Sequence, residues 1–99
     1  MSEHLPSFEA FRAEHLAQGF DEVLVREWAP GQVVGEHTHP FDVKARVVRG
    51  SVHLGCREGG RTLTAGDGFE LQAHEPHTEH YGPDGATFWV ARRTPPPAG

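Results

Sequence analysis

The feature that most limits what this chain can fold into is how regularly it is punctuated. From Ala29 onward it returns again and again to turn formers: Ala29-Pro30-Gly31, Gly50, Gly59-Gly60, Ala65-Gly66-Asp67-Gly68 and Gly82-Pro83-Asp84-Gly85. Gly supplies positive φ, Pro fixes φ and Asp bonds its own backbone, so each cluster stops an element for a physical reason. The intervals left between them, near 32–36, 43–49, 51–57, 61–64, 68–72, 76–81 and 86–93, are the length of strands rather than helices. Many short strands at such spacing favour a sandwich or a barrel, and closing into a barrel is one way to remove exposed sheet edges. The expected fold is all-β.

One helix is expected ahead of it, over 7–18. Ser7 after Pro6 suits the N-cap, Phe8, Phe11 and Leu16 fall roughly on one stripe with His15 beside them, and Gly19 suits the position just past the end. Phe20 to Trp28 alternates loosely and reads as a further strand. The organisation that follows is a helix or arm over 1–19, a barrel over 20–93, and a Pro-rich tail over 94–99. That tail, Thr94-Pro-Pro-Pro-Ala-Gly, cannot join a ladder and is expected to be disordered.

Composition excludes several classes of function. Ninety-nine residues make one domain, which buries roughly two-thirds of its unfolded surface. A net charge of −5 offers no basic footprint for nucleic acid, and the doublet Arg92-Arg93 reads as a solvated strand end. No apolar run approaches the roughly 18 residues of a membrane span, and Met1 to Phe11 lacks the basic start and apolar core of a secretory signal. Cys56 is alone, so no internal disulfide forms and a reducing, cytoplasmic location is expected.

The chemistry lies in the histidines. Five of the eight fall within 37–39 and 74–80. His37 and His39 at i, i+2 share one face of a strand, because strand side chains alternate with period 2. If that strand continues unbroken, they share it with Val43, Ala45 and Val47, while Lys44 and Arg46 face out. The pair then points inward, where imidazoles need partners. His77 is the natural third ligand from a distant strand, with Glu79 and Tyr81 on its face and His80 pointing away. On the strand before it, Val52, Leu54 and Cys56 share a face and His53 takes the other.

These segments resemble the two sequence motifs of the cupin superfamily. In the first motif, Gly31, His37, His39 and Gly50 stand at matching positions, but Val43 occupies the slot of the family's Glu, with Asp42 beside it. In the second, Gly66 and His77 match, whereas Gln72, His74 and Tyr81 stand where Pro, Gly and Asn are expected. The resemblance spans residues 31–81, about half the chain. It implies a small single-domain cupin, a jelly-roll barrel (double-stranded β-helix), binding a divalent transition metal such as iron, zinc, nickel or manganese through His37, His39 and His77.

With Val43 in the carboxylate slot, the expected site is three neutral imidazoles with open coordination positions. Glu79, Asp42 and His74 remain alternatives for a fourth ligand. Distance along the strand argues against Glu79, since same-face neighbours lie about 6.5–7 Å apart. Open positions favour a reactive site, because structural zinc closes its shell with four protein ligands. Phe41, Phe69, Tyr81, Phe88 and Trp89 read as core more than as a substrate box. Two functions stay open: a metal-dependent enzyme acting on a small organic molecule, dioxygenase- or isomerase-like, with Glu79 and Tyr81 as catalytic candidates, or a non-catalytic small-molecule binding or sensing module. Small cupins commonly pair through a barrel edge, so a homodimer is expected, with neither nucleic acid nor membrane as partner.

Overall fold

The structure is a computed structural model describing residues 7–57 and 59–95. One helix, α1 (Phe8–Ala17), precedes six strands: β1 (Glu22–Trp28), β2 (Val33–His37), β3 (Asp42–Cys56), β4 (Gly59–Thr64), β5 (Gly68–Leu71) and β6 (His77–Arg93). The all-β expectation and the single leading helix both hold. His4 and the tail beyond Pro95 lie outside the described residues.

The strands differ from expectation at two places. The intervals 43–49 and 51–57 are one strand of 15 residues, and 76–81 and 86–93 are one of 17. Gly50 and Gly85 do take positive φ, +77° and +68°, but they bend their strands instead of reversing them. The same backbone freedom that makes a turn also makes a bulge, and the β3–β6 register slips around Gly50. A Cβ on Gly50 would collide with the Gly85 carbonyl oxygen, and one on Gly85 with the Trp28 carbonyl oxygen. Three backbones therefore cross at this corner with no room for a side chain.

The bent β3–β6 ribbon, paired from Asp42↔Arg93 to Cys56↔His77, builds two layers. Past the corner on one side, β1 adds to β6 and β5 adds to β3. On the other side β2 adds to β6 and β4 to β3. Each layer runs apolar residues inward at alternate positions: Val43, Ala45 and Val47 with Phe88 and Val90, against Val52, Leu54, Leu63 and Tyr81. The stack of Trp28 on Tyr81, 4.9 Å between centroids and 13° from parallel, ties one layer to the other.

α1 covers an outer face. Ser7 caps it by accepting a hydrogen bond from the Ala10 amide at 3.1 Å, and Gly19 follows its end at φ +98°. Phe11 and His15, one turn apart, are the buried pair, so His15 takes the place expected for Leu16. Its Nδ1 bonds the Phe11 carbonyl at 2.7 Å. Phe8 and Phe11 lie 5.9 and 5.7 Å from Trp89, which therefore faces the helix and not the interior.

Candidate metal centre

His37, His39 and His77 meet inside the barrel, each offering a donor atom within 4.8 Å of the others'. They arrive by three different routes. β2 pairs with β6 through Val34↔Glu79 and His37↔His77, with a one-residue slip between. That bulge re-aims the strand. Val34 and His37, three residues apart, face inward while Gly35 and Glu36 are exposed. His39 is not on a strand, because β2 ends at His37 and β3 begins at Asp42. Pro40, with no N–H, cannot continue the ladder. His39 is held instead through its carbonyl, which accepts from the His74 amide at 2.7 Å, and through its ring, stacked on Phe41 at 4.9 Å. His77 opens β6 and is 2% exposed, the most enclosed of the three.

The side chains fit a metal. Nδ1 of His37 bonds the Gly35 carbonyl at 2.7 Å and Nδ1 of His77 the Glu75 carbonyl at 3.1 Å. An imidazole that donates Nδ1–H to a carbonyl presents Nε2 as a bare lone pair, the arrangement that orients ligating histidines. Nε2 of His77 is buried without a hydrogen-bond partner, a cost a bound cation would remove. Burial first, then the neighbouring His77 and His37, push the His39 imidazole below its ordinary pKa, with Glu79 opposing. All three effects combined favour the neutral form that ligates.

Glu79 stands beside this cluster, against two of its three members. Its Oε2 lies 3.2 Å from His37 Nε2 and 3.3 Å from His77 Nε2. Donors sharing one tetrahedral ion at about 2.1 Å stand roughly 3.4 Å apart, so this carboxylate sits at ligand spacing from two imidazoles. The separation of same-face neighbours along β6 does not keep it away, because its longer side chain reaches back to His77. Tyr81, 1% exposed, donates its hydroxyl hydrogen to the other oxygen, Oε1. Burial, followed by that bond and the charge of Glu79, raises the Tyr81 pKa far above the ordinary tyrosine value. The phenol therefore stays a donor at any physiological pH.

The other sequence candidates lie elsewhere. Asp42 accepts from the Ala73 amide at 2.8 Å and pairs with Arg93 at 3.2 Å, so it pins the turn before β6. His74 occupies the family's Gly slot and adopts the left-handed backbone that slot demands, φ +67°. It borders a separate outer groove with Asp42, not the histidine cavity. Val43 is buried and lines the cavity as an aliphatic wall. His53 and His80 are exposed, as their parity requires.

Two arginines escaped the sequence reading. Arg26 and Arg92 line the same cavity as the histidines and Glu79. Arg26 occupies an inward position of β1 opposite Phe88, its guanidinium 4.8 Å from the centre of the Trp28 ring. Arg92 is not a solvated strand end. It lies 4.9 Å over Phe41 and pairs with Glu22 at 3.0 Å, and its Nε is buried without a partner. Inward alternation of Phe88 and Val90 was legible and extends to position 92, which is the signal that could have found it.

A bent two-layer barrel with histidines clustered in its cavity defines a small protein of the cupin superfamily. Residues 19–93 match the AraC-like ligand-binding domain, and the chain belongs to that family. Among curated proteins no sequence matches it. A chain from the crystal structures of the DMSP lyases RdDddP and RnDddQII is similar, with a TM-score of 0.66 at 28% identity over 72% of this chain. This chain spans only 37% of that one's length. KdgF from Halomonas sp. is similar at a TM-score of 0.62 and 22% identity, over 76% of this chain and 69% of that one. A protein of unknown function from Rhizobium leguminosarum bv. viciae 3841 gives a TM-score of 0.68 at 16% identity, over 96% of this chain and 100% of that one. The last two likenesses bear on the fold alone.

Proposed function

We propose that this cupin is a metal-dependent enzyme acting on a small organic molecule. His37, His39 and His77 would hold a divalent transition metal (iron, zinc, nickel or manganese), with Glu79 as the fourth donor in place of the missing motif carboxylate. Beside four protein donors, an ion that takes six ligands acts as a Lewis acid and leaves about two positions for substrate. The observation that carries this reading is the buried Glu79, whose two oxygens are divided between imidazoles and a phenol. A carboxylate offsets the ion's charge where three imidazoles do not. Tyr81 acts through Glu79: its hydrogen bond fixes Oε1 and leaves Oε2 turned to the histidines. It is a positioning residue and a hydrogen-bond donor, neither a general base nor a general acid, given how firmly its proton is held.

The test uses cobalt(II) as a coloured stand-in for the native ion. The protein should take up one cobalt per chain, and added azide should shift its visible bands by entering an open position. A spectrum unmoved by azide would mean a shell closed by protein, hence a structural ion, and would overturn the enzymatic reading.

The family match favours a second reading, a ligand-sensing module without turnover. Among the described residues α1 is the one helix. The readings part on whether a bound ligand leaves unchanged. Pairing as a homodimer belongs to the same proposal, supported by the open strands β1 and β2 with Val25 and Val33 exposed at 44% and 67%. A clean monomer in sedimentation at micromolar concentration would rule it out.

A further inference from the structure

The cavity that holds the histidines is small, about 100 Å³, or about three water-sized groups at roughly 30 Å³ each. Its walls are mostly apolar, with Trp28, Phe69, Phe88 and Val90 among them. Arg26 and Arg92 both belong to this lining, against one carboxylate, Glu79, which is already committed to the histidines and Tyr81. In a chain of net charge −5 this is a local excess of positive charge.

The two arginines differ. Arg92 is partly neutralised by Glu22. Arg26 is half-buried, and among the described residues it makes no ion pair; its guanidinium has the face of Trp28 as its neighbour. Placing a cation in a partly desolvated wall without a counter-charge is unfavourable. Guanidinium on an aromatic face, with its N–H edge left free, is the geometry that receives a planar oxyanion.

We infer that the ligand of this cavity is a small organic carboxylate, anchored by Arg26, with Arg92 adding positive field from the same lining. This names the ligand class for the proposed metal-dependent activity and rests on that reading for catalysis, but not for binding. A carboxylate held by Arg26 projects the rest of a short molecule across the apolar wall towards the histidine cluster. Carboxylates also bind transition ions directly, so the test has to separate the two anchors.

Binding of propionate and of its neutral isostere propionamide is measured by calorimetry, on metal-free protein and on protein loaded with cobalt(II). Both forms should prefer propionate. Arg26→Gln should weaken propionate by about tenfold or more in both, as expected for loss of a charge-assisted bond, and leave cobalt uptake and its spectrum unchanged. Arg92→Gln should weaken it less. Arg26→Lys, which keeps charge and packing over Trp28 but loses the fork, should fall between parent and Arg26→Gln, so a folding defect is separable from a binding one. Equal affinity for the amide, or propionate binding unchanged in Arg26→Gln, overturns the inference. Failure of the parent to take up cobalt, with propionate binding to the metal-free protein intact, overturns the metal centre and leaves the carboxylate site standing.

Discussion

Tyr81 and Glu79 stand two residues apart on one face of β6, and the phenol hydroxyl donates to Glu79 Oε1 in the buried interior. Tyr81 also stacks on Trp28. It thus links the acidic group of the site to the contact that joins the two layers. Tyr81→Phe keeps the ring and its stacking but removes the donor. A buried acceptor left unpaired costs about 1–3 kcal/mol, so chemical denaturation of the metal-free protein should show a loss of that order. Because the bond orients a proposed ligand, metal affinity should drop as well, by about 10–100-fold. Unchanged affinity in a folded Tyr81→Phe protein would remove the positioning role.

The metal-free protein should lose stability as pH falls below the ordinary imidazole value. His39 has a lowered pKa in the folded state, so below 6.5 the unfolded chain binds more protons than the native one, and stability declines in that direction. Above 6.5 both states carry neutral His39 and its contribution is complete. Urea titrations between pH 7.5 and 5 on the parent and on His39→Gln check this; the variant should show the shallower slope.

His74→Gly should be neutral or should stabilise by up to about 1 kcal/mol. The native residue is held in the left-handed region, which costs an L-residue about 1–2 kcal/mol, partly offset by the greater freedom glycine brings to the unfolded chain. Metal uptake should not change, since the His74 side chain borders the other groove. A loss of metal on this substitution would place His74 among the ligands.

The strand-rich barrel and the three histidines were legible because their signals are local: turn residues at short intervals, and imidazoles beside glycines at strand spacing. The bends at Gly50 and Gly85 were not, since positive φ is common to a reversal and a bulge and only the partner strands decide. The slip between Val34 and His37 could not be read either, so the orientation of His37 rests on a register that the sequence does not announce. Arg26 was hidden by its own strand. Val23 and Val25 share one parity of β1, Leu24 and Trp28 the other, and apolarity alone does not choose between them; the inward set turns out to hold Leu24, Arg26 and Trp28.

The central claim is that the three histidines with Glu79 hold one divalent ion. The direct measurement is metal content by mass spectrometry after loading and exhaustive dialysis, on the parent, on the triple variant His37→Ala, His39→Ala, His77→Ala, and on Glu79→Gln and Val43→Glu. We expect one ion per chain in the parent, none in a triple variant whose dichroism remains that of a β-protein, and a marked loss in Glu79→Gln. Val43→Glu should change little, because Glu79 already fills the position a motif carboxylate would take. Stoichiometric metal in the triple variant, or none in the parent, would contradict the site; full retention in Glu79→Gln with tighter binding in Val43→Glu would show instead an open three-histidine centre.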